Sequence, residues 1–294
     1  MSLFQAVNGA NIEDLEPYFA ASPNRICDNT TGVTFQWRNI YHTAFALAGG
    51  CMVTRSIFKD LGPCYSVPLG PGDPSAAFAL IEADAREQGA VLRFACVGED
   101  QLPLLASRYT NAMTAEEMRD WADYLYDVEN FEYVGKKHHG QKNHVNRFYK
   151  EFPEARCVEI TQDMFPDCRA FLRQVEAESA PFNEIERNEM QGTMDLIEIY
   201  CCLNQKAACL MTRLGITALA VGEVRGDTLF VHGEKARRIA PGAYPAMAQA
   251  FVRFMGKEFA YVNREDDGGD EGIRFSKLNY KPLMLIPKYL VTVH

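Results

Sequence analysis

The sequence predicts an α/β chain of two tandem domains, each a mixed sheet with helices on both faces. Three observations carry this: an order of elements that recurs, segments whose apolar period switches between helix and strand, and enough apolar residues for two cores. The chain has 294 residues, 47% of them hydrophobic, which suffices for one large or two average domains. Pro71 opens P-G-D-P-S-A-A-F-A-L-I-E and Pro241 opens P-G-A-Y-P-A-M-A-Q-A-F-V, a repeat at a period of about 170 residues. In both copies a Pro-Gly turn leads into an amphipathic helix. A β-rich segment follows, from Val91 or Phe259, then a short helical stretch to Tyr109 or Tyr280 and a further extended run.

In chain order, Phe35 to Trp37, Ala44 to Val53 and Cys64 to Pro68 read as the early strands of the first half. Thr114-x-x-Glu117 has the form of a capping box, whereas the repeat requires extended chain there, and both readings stay open. Tyr124 to Val128 reads as a strand. Phe131 to Phe152 reads as a basic connecting helix, which sets the expected division at residues 1–130, 131–152 and 153–294. Asp163 to Glu178 and Asn183 to Leu203 show apolar residues at three- and four-residue steps, for example Met190, Met194, Ile197 and Cys201, so two helices are expected. Cys201 and Cys202 then fall in an apolar helical stretch as small core residues. Ala208 to Arg213, Ile216 to Val224 and Thr228 to Glu234 are β-rich, with Arg225-Gly226-Asp227 as a hairpin turn. Asn279 reads as the stop of the last helix, since Asn is the usual substitute for Gly in the left-handed position past a helix end.

Charge and cysteines narrow the function. The net charge of −9 opposes wholesale nucleic-acid binding and DNA as a partner, because phosphate contacts need a positive surface. The exception is local: Gly135 to Lys150 carries Lys136, Lys137, Lys142, Arg147, Lys150, His138, His139 and His144 and no acidic residue. Nine cysteines without a C-x-x-C pair suit a reducing compartment and offer no zinc set. No apolar run approaches the ~18 residues that span a bilayer, and Met1 to Ala10 lacks signal-peptide character. A cytoplasmic location is expected. Asp266, Asp267, Asp270 and Glu271 lack EF-hand spacing, so no metal is expected.

The segment G-I-R-F-S-K-L-N-Y-K-P from Gly272 resembles the last helix and turn of the GNAT acyltransferase fold. Two helices, three antiparallel strands, a helix, a strand, a helix and a final strand is the GNAT order, and the second half follows it. Four blocks narrow the resemblance: D-Y-L-Y-D from Asp123, G-K-K-H-H-G-Q-K-N-H-V-N-R-F from Gly135, H-G-E-K-A-R-R from His232, and N-R-E-D-D from Asn263 onward to Pro282. The chain is similar to a bacterial family of tandem-GNAT proteins of unassigned function, related to the C-terminal domain of lysylphosphatidylglycerol synthases. The resemblance implies an acyl or aminoacyl transferase whose donor is a CoA thioester, such as acetyl-CoA, or an aminoacyl-tRNA. The acceptor stays unnamed. A non-catalytic GNAT-fold module binding an anionic ligand is the alternative from another class, favoured by Phe275 where many GNAT enzymes carry a tyrosine acid.

The same resemblance points to site residues. Arg237, Arg238 and Gly242 fall where GNAT proteins bind the CoA pyrophosphate at a helix N-terminus. Ala240 stands at the central glycine place and Pro241 removes a donor, and both weaken such a cradle; ordinary surface arginines beside a helix start are the alternative. Glu234 and Lys235 end one strand and Asn263 and Glu265 the next, where GNAT strands splay around the donor. Either Glu234 or Glu265 could take a proton from the acceptor, or pair structurally with Lys235 or Arg264. Tyr280 could supply a proton if it leaves the core. Lys136, Lys137, His138, Lys142, Asn143, His144 and Lys277 are the candidate contacts to substrate. For the basic segment the occupant is tRNA, anionic lipid headgroups or an anionic small molecule in an inter-domain cleft, with a solvated linker helix as the plain alternative.

Overall fold

The computed structural model describes residues 3–179, 183–200 and 203–294. The first half runs β1 (Gln5–Ala6), α1 (Glu16–Ala20), α2 (Thr31–Gln36), β2 (Ala44–Ala48), β3 (Cys51–Phe58), β4 (Gly62–Tyr65), α3 (Pro74–Glu87), β5 (Arg93–Gly98), α4 (Leu102–Arg108) and β6 (Met113–Glu117). β7 (Asp123–Asp127), α5 (His139–Glu151), β8 (Arg156–Glu159), α6 (Phe165–Ser179) and α7 (Glu184–Ile199) follow. The chain ends with β9 (Gln205–Thr212), β10 (Gly215–Arg225), β11 (Thr228–Ala236), α8 (Ala243–Met255), β12 (Tyr261–Asn263), α9 (Glu271–Asn279), β13 (Met284–Ile286) and β14 (Lys288–Val293).

These elements form two seven-stranded sheets of matching plan. One has the order β1-β2-β3-β4-β5-β14-β6 and the other, read from its opposite end, β8-β9-β10-β11-β12-β7-β13. Each contains a three-strand antiparallel meander followed by one parallel pairing, β4 with β5 at Tyr65 and Phe94, and β11 with β12 over Thr228–Phe230. Each parallel pair is bridged by a crossover helix, α3 or α8, as parallel strands require. The expected repeat and the GNAT order are therefore both present.

The sixth place in each sheet is taken by a strand from the other end of the chain. β14 lies between β5 and β6, and β7 pairs with β12. The compact units are consequently interleaved: Met1–Asp123 with Asp266–Asp270 and Leu285–His294, and Tyr124–Glu265 with Glu271–Met284. The linear division expected from the sequence differs from these units at both exchanged strands. The first unit is filled by Val53, Tyr65, Phe78, Ile81, Phe94, Val97 and Val291, all buried. In the second, Leu196, Ile197, Cys209, Leu219, Phe230, Met247 and Phe251 are buried.

Local chemistry explains where the sequence reading fails. Phe35 to Trp37 is the end of helix α2 and not a strand, because the Thr30 hydroxyl accepts from the Val33 amide and caps the helix start. Ala44 to Val53 is a hairpin rather than one strand, turning at Gly49 and Gly50 with φ of 60° and 76°. A side chain on Gly49 would meet the Asp73 carbonyl at 2.6 Å. The strand expected over Cys64 to Pro68 ends at Tyr65. Thr114 to Glu117 is strand β6, paired with β14, so no capping box forms. The left-handed residue after α9 is Lys281 at φ 58°, not Asn279. The connecting segment is a broken helix: a 3-10 turn over Val128–Glu132 ends at the left-handed Tyr133, a second covers Lys136–His138, and α5 proper starts at His139. The core reading of Cys201 and Cys202 lies outside the described residues.

Candidate functional site

The site expected from the sequence falls in the second unit, where β11 runs past β12. Their last pair is Phe230 with Asn263, and Val231–Ala236 continues beyond it. A β-bulge prepares this stretch: Val221 faces Gly233 and Gly222 faces Val231, so His232 is the extra residue. Gly222 permits it, since a Cβ there would lie 2.2 Å from the Phe230 carbonyl.

His232 is buried between two carboxylates. Its Nε2 lies 2.9 Å from Glu223 Oε1 and its Nδ1 2.8 Å from Glu265 Oε1. Two acceptors require both ring nitrogens to carry protons, so the ring is an imidazolium. Burial opposes that charge, but the hydrogen bonds to Glu223 and Glu265 outweigh it and push the ring up to about 9. Glu265 holds a left-handed backbone at φ 59°, fixed by its amide donating to Asn263 Oδ1 at 2.6 Å. Asn263, buried, is thus the residue that aims Glu265.

A second polar centre lies beside it. Arg264 Nη2 donates to Glu234 Oε2 at 3.0 Å, with the two side chains 13% and 8% exposed. Burial raises the Glu234 carboxyl above its usual range while Arg264 pulls the other way. The guanidinium covers the face of Tyr280 at 4.5 Å, and Lys277 Nζ donates to the Arg264 carbonyl at 2.6 Å. Tyr280 packs against Tyr126, Phe131 and Tyr133 with centroids 6.4, 6.2 and 6.1 Å away. Burial raises its phenol.

The remaining expected residues divide clearly. Lys235 pairs with Glu189 at 2.5 Å; burial opposes its charge, and Glu189 more than compensates. Arg237 is bound by Glu178 at 2.7 Å, and Glu178 also accepts from the Arg238 amide at 2.9 Å, leaving the Arg238 side chain exposed. Gly242 precedes α8 at φ 85°, and a Cβ there would lie 2.1 Å from the His144 carbonyl. Helix α5 therefore packs directly on the start of α8 through Phe148. The Ala243 amide is spent on the Ala240 carbonyl at 3.0 Å, and Pro245 has no amide to give.

Along the basic segment, Lys136, Lys142, Asn143 and His144 are exposed, and Asn143 also contacts His139 at 3.2 Å. Lys137 donates to Asn130 at 3.2 Å. His138 is buried, packed on Tyr133, and burial followed by Lys137 and Lys281 lowers its pKa. A neutral buried ring is not the surface contact that the sequence suggested.

Sequence reasoning missed the roles of His232 and Glu223, and a further cluster in the first unit. His232 had a signal, its place in the H-G-E-K-A-R-R block. In the first unit Lys288 is fully buried, with Nζ 2.5 Å from Asp28, 2.7 Å from Asp123, 3.6 Å from Asp266 and 3.3 Å from Cys27 Sγ. Burial opposes its charge, but Asp123 and Asp28 hold it well above the usual lysine value. Cys27, Asp123 and Asp266 bring ligand atoms within 4.8 Å of one another, and the Lys288 ammonium lies among them as the counter-charge. Nothing in K-Y-L-V-T-V marks its first residue as a buried ion.

The comparisons agree with this architecture. A conserved protein of unknown function from Bacteroides thetaiotaomicron VPI-5482 superposes with a TM-score of 0.90 at 26% identity, over 100% of both chains. The C-terminal domain of a lysylphosphatidylglycerol synthetase from Agrobacterium fabrum, given as a tentative assignment in its description, matches at TM-score 0.65 and 16% identity, over 97% of this chain and 92% of its own. At that identity it shows the shared fold. An uncharacterized Mycoplasmoides gallisepticum protein, MYCGA3080, is 25% identical over 221 residues, covering 66% of this chain and 68% of its own. The model of the family described as phosphatidylglycerol lysyltransferase, C-terminal, matches residues 19–292. The chain therefore belongs to the phosphatidylglycerol lysyltransferase C-terminal family.

Proposed function

We propose that the chain is an aminoacyl transferase taking its acyl group from an aminoacyl-tRNA. The observation that carries the choice of donor is the start of α8. A GNAT helix of this position binds CoA pyrophosphate on free amides and a nearby arginine. Here the Ala243 amide is occupied, Arg237 is held by Glu178 and the His144 carbonyl abuts Gly242. A carbonyl and a carboxylate stand where a phosphate would need donors. The family name supports an aminoacyl group as cargo and makes phosphatidylglycerol the first acceptor to assay.

The chemistry asks little of the protein. An acceptor oxygen or nitrogen attacks the ester carbonyl, the bond to the tRNA ribose oxygen breaks, and the acceptor's proton ends on that oxygen. Glu265 is the base in this reading: it is half-buried, hydrogen-bonded to His232 and fixed in direction by Asn263. The exposed lysines at 136 and 142 would steer the anionic tRNA or lipid headgroup. Tyr280, with Arg264 on its face, serves as a wall. Replacing Glu265 by Gln should lower transfer from aminoacyl-tRNA by about 100-fold or more. Equal rates for Glu265→Gln and the parent would remove Glu265 from this role.

A further inference from the structure

The loop between β11 and α8 holds an anion, and that anion belongs to the chain itself. Arg237 directs Nε at 2.8 Å and Nη2 at 2.7 Å to Glu178 Oε1, and the Arg238 amide donates to Glu178 Oε2 at 2.9 Å. A guanidinium edge followed by the next backbone N–H is a donor set that suits a phosphate as well as a carboxylate. The loop keeps its course through bonds that do not involve Glu178. The Arg237 amide donates to the Thr217 carbonyl at 2.9 Å, the Ala240 amide to the Arg237 carbonyl at 3.1 Å and the Ala243 amide to the Ala240 carbonyl at 3.0 Å. Removing the carboxylate would leave its cradle standing.

Helix α6 gains nothing from an acid at this place. Glu178 lies in its last turn, which carries no basic residue, and a negative charge at a helix C-terminus opposes the macrodipole. A plain ion pair would need only the guanidinium, whereas here the second oxygen takes the backbone amide too. The Arg237 and Glu178 side chains are 15% and 18% exposed, and the neighbouring Arg238 side chain is exposed, so the cradle opens to solvent once the carboxylate is withdrawn.

We infer that Glu178 is a specificity residue: it fills the phosphate cradle of the β11–α8 loop and so shuts out pyrophosphate-bearing cosubstrates such as CoA. This rests on the donor reading above and names the residue that enforces it. An incoming phosphate must displace a carboxylate from both of its partners and then tolerate that negative charge alongside, so discrimination comes from a built-in repulsion. With the Ala243 amide spent and the His144 carbonyl against Gly242, the vacated cradle offers the Arg237 fork and the Arg238 amide, enough to bind one phosphate group.

Calorimetric titration with inorganic pyrophosphate and with CoA tests this as a gain of binding, which loss of a merely structural contact would not produce. The wild type should show no saturable binding at millimolar concentration. Glu178→Ala, folded by thermal melt, should bind both probes at least about tenfold more tightly, the scale of one charged hydrogen bond. Glu178→Gln loses the charge but keeps an acceptor, so it should fall between the two, and it carries the test if the alanine variant does not fold. Adding Arg237→Gln to either variant should abolish the gain. Wild-type binding as tight as the variants', no gain in a folded variant, or a gain that survives the loss of Arg237 would overturn the assignment. A gain of CoA binding in Glu178→Ala without any transfer from aminoacyl-tRNA by the wild type would instead sink the transferase reading and leave Glu178 in its role.

Discussion

The charge on His232 is the most quantitative consequence of the site. The ring is raised from 6.5 to about 9, and each pKa unit corresponds to about 1.4 kcal/mol between protonation states. The charged ring therefore contributes about 3 kcal/mol to folding. Because its folded pKa lies above the unfolded one, that contribution is complete below pH 6.5 and disappears as pH rises through about 9. Replacing His232 alone would strand Glu223, so the appropriate reference is Glu223→Gln/His232→Gln. Urea unfolding of both proteins from pH 6 to 10 should show the wild-type advantage shrinking by about 3 kcal/mol across that window. NMR of the ring should place its titration near 9. A constant difference between the two proteins, or a ring that titrates near 6.5, would refute the Glu223–His232–Glu265 account.

Other consequences are simpler. Gly242→Ala forces a Cβ into the His144 carbonyl at a left-handed residue; denaturant unfolding should show a loss of about 2–4 kcal/mol, combining backbone strain and overpacking. Lys288→Met leaves the buried Asp123 and the partly exposed Asp28 without their cation and should cost about 3–5 kcal/mol in the same assay. Acetyl-CoA and CoA should leave the melting temperature unchanged up to millimolar concentration, since a ligand that binds only the folded state must raise it. Lys136→Glu with Lys142→Glu should weaken tRNA binding in a filter assay and flatten its salt dependence, with the melting temperature unaltered.

Much of the second unit was legible in the sequence because its signals are local. The meander β9 to β11 shows apolar runs broken by Gly215 and Gly226, both left-handed turn residues. Helix α8 follows from its Pro-Gly start, and α6 and α7 from their apolar spacing. The strand exchange was not legible: β7 and β14 each look like the end of their own half, and only long-range pairing assigns them to opposite sheets. Phe35 to Trp37 misled because aromatic residues favour strands, yet the Thr30 cap decides locally for helix. In the site, Glu234 and Glu265 were recognised, but their partners depend on a bulge at His232 and a left-handed turn at Glu265. Both are backbone features with no periodic trace. Arg237 shows the opposite error, since its charge drew attention while Glu178, remote in sequence, takes it up.

The central claim, aminoacyl transfer from tRNA at the second-unit site, is tested most directly by offering the purified protein two labelled donors in parallel. One reaction holds aminoacyl-tRNA and the other acetyl-CoA, each with phosphatidylglycerol vesicles and a panel of soluble amines. Label should pass from the aminoacyl-tRNA to an acceptor, and Glu265→Gln should abolish the transfer. Label passing from acetyl-CoA alone would contradict the account.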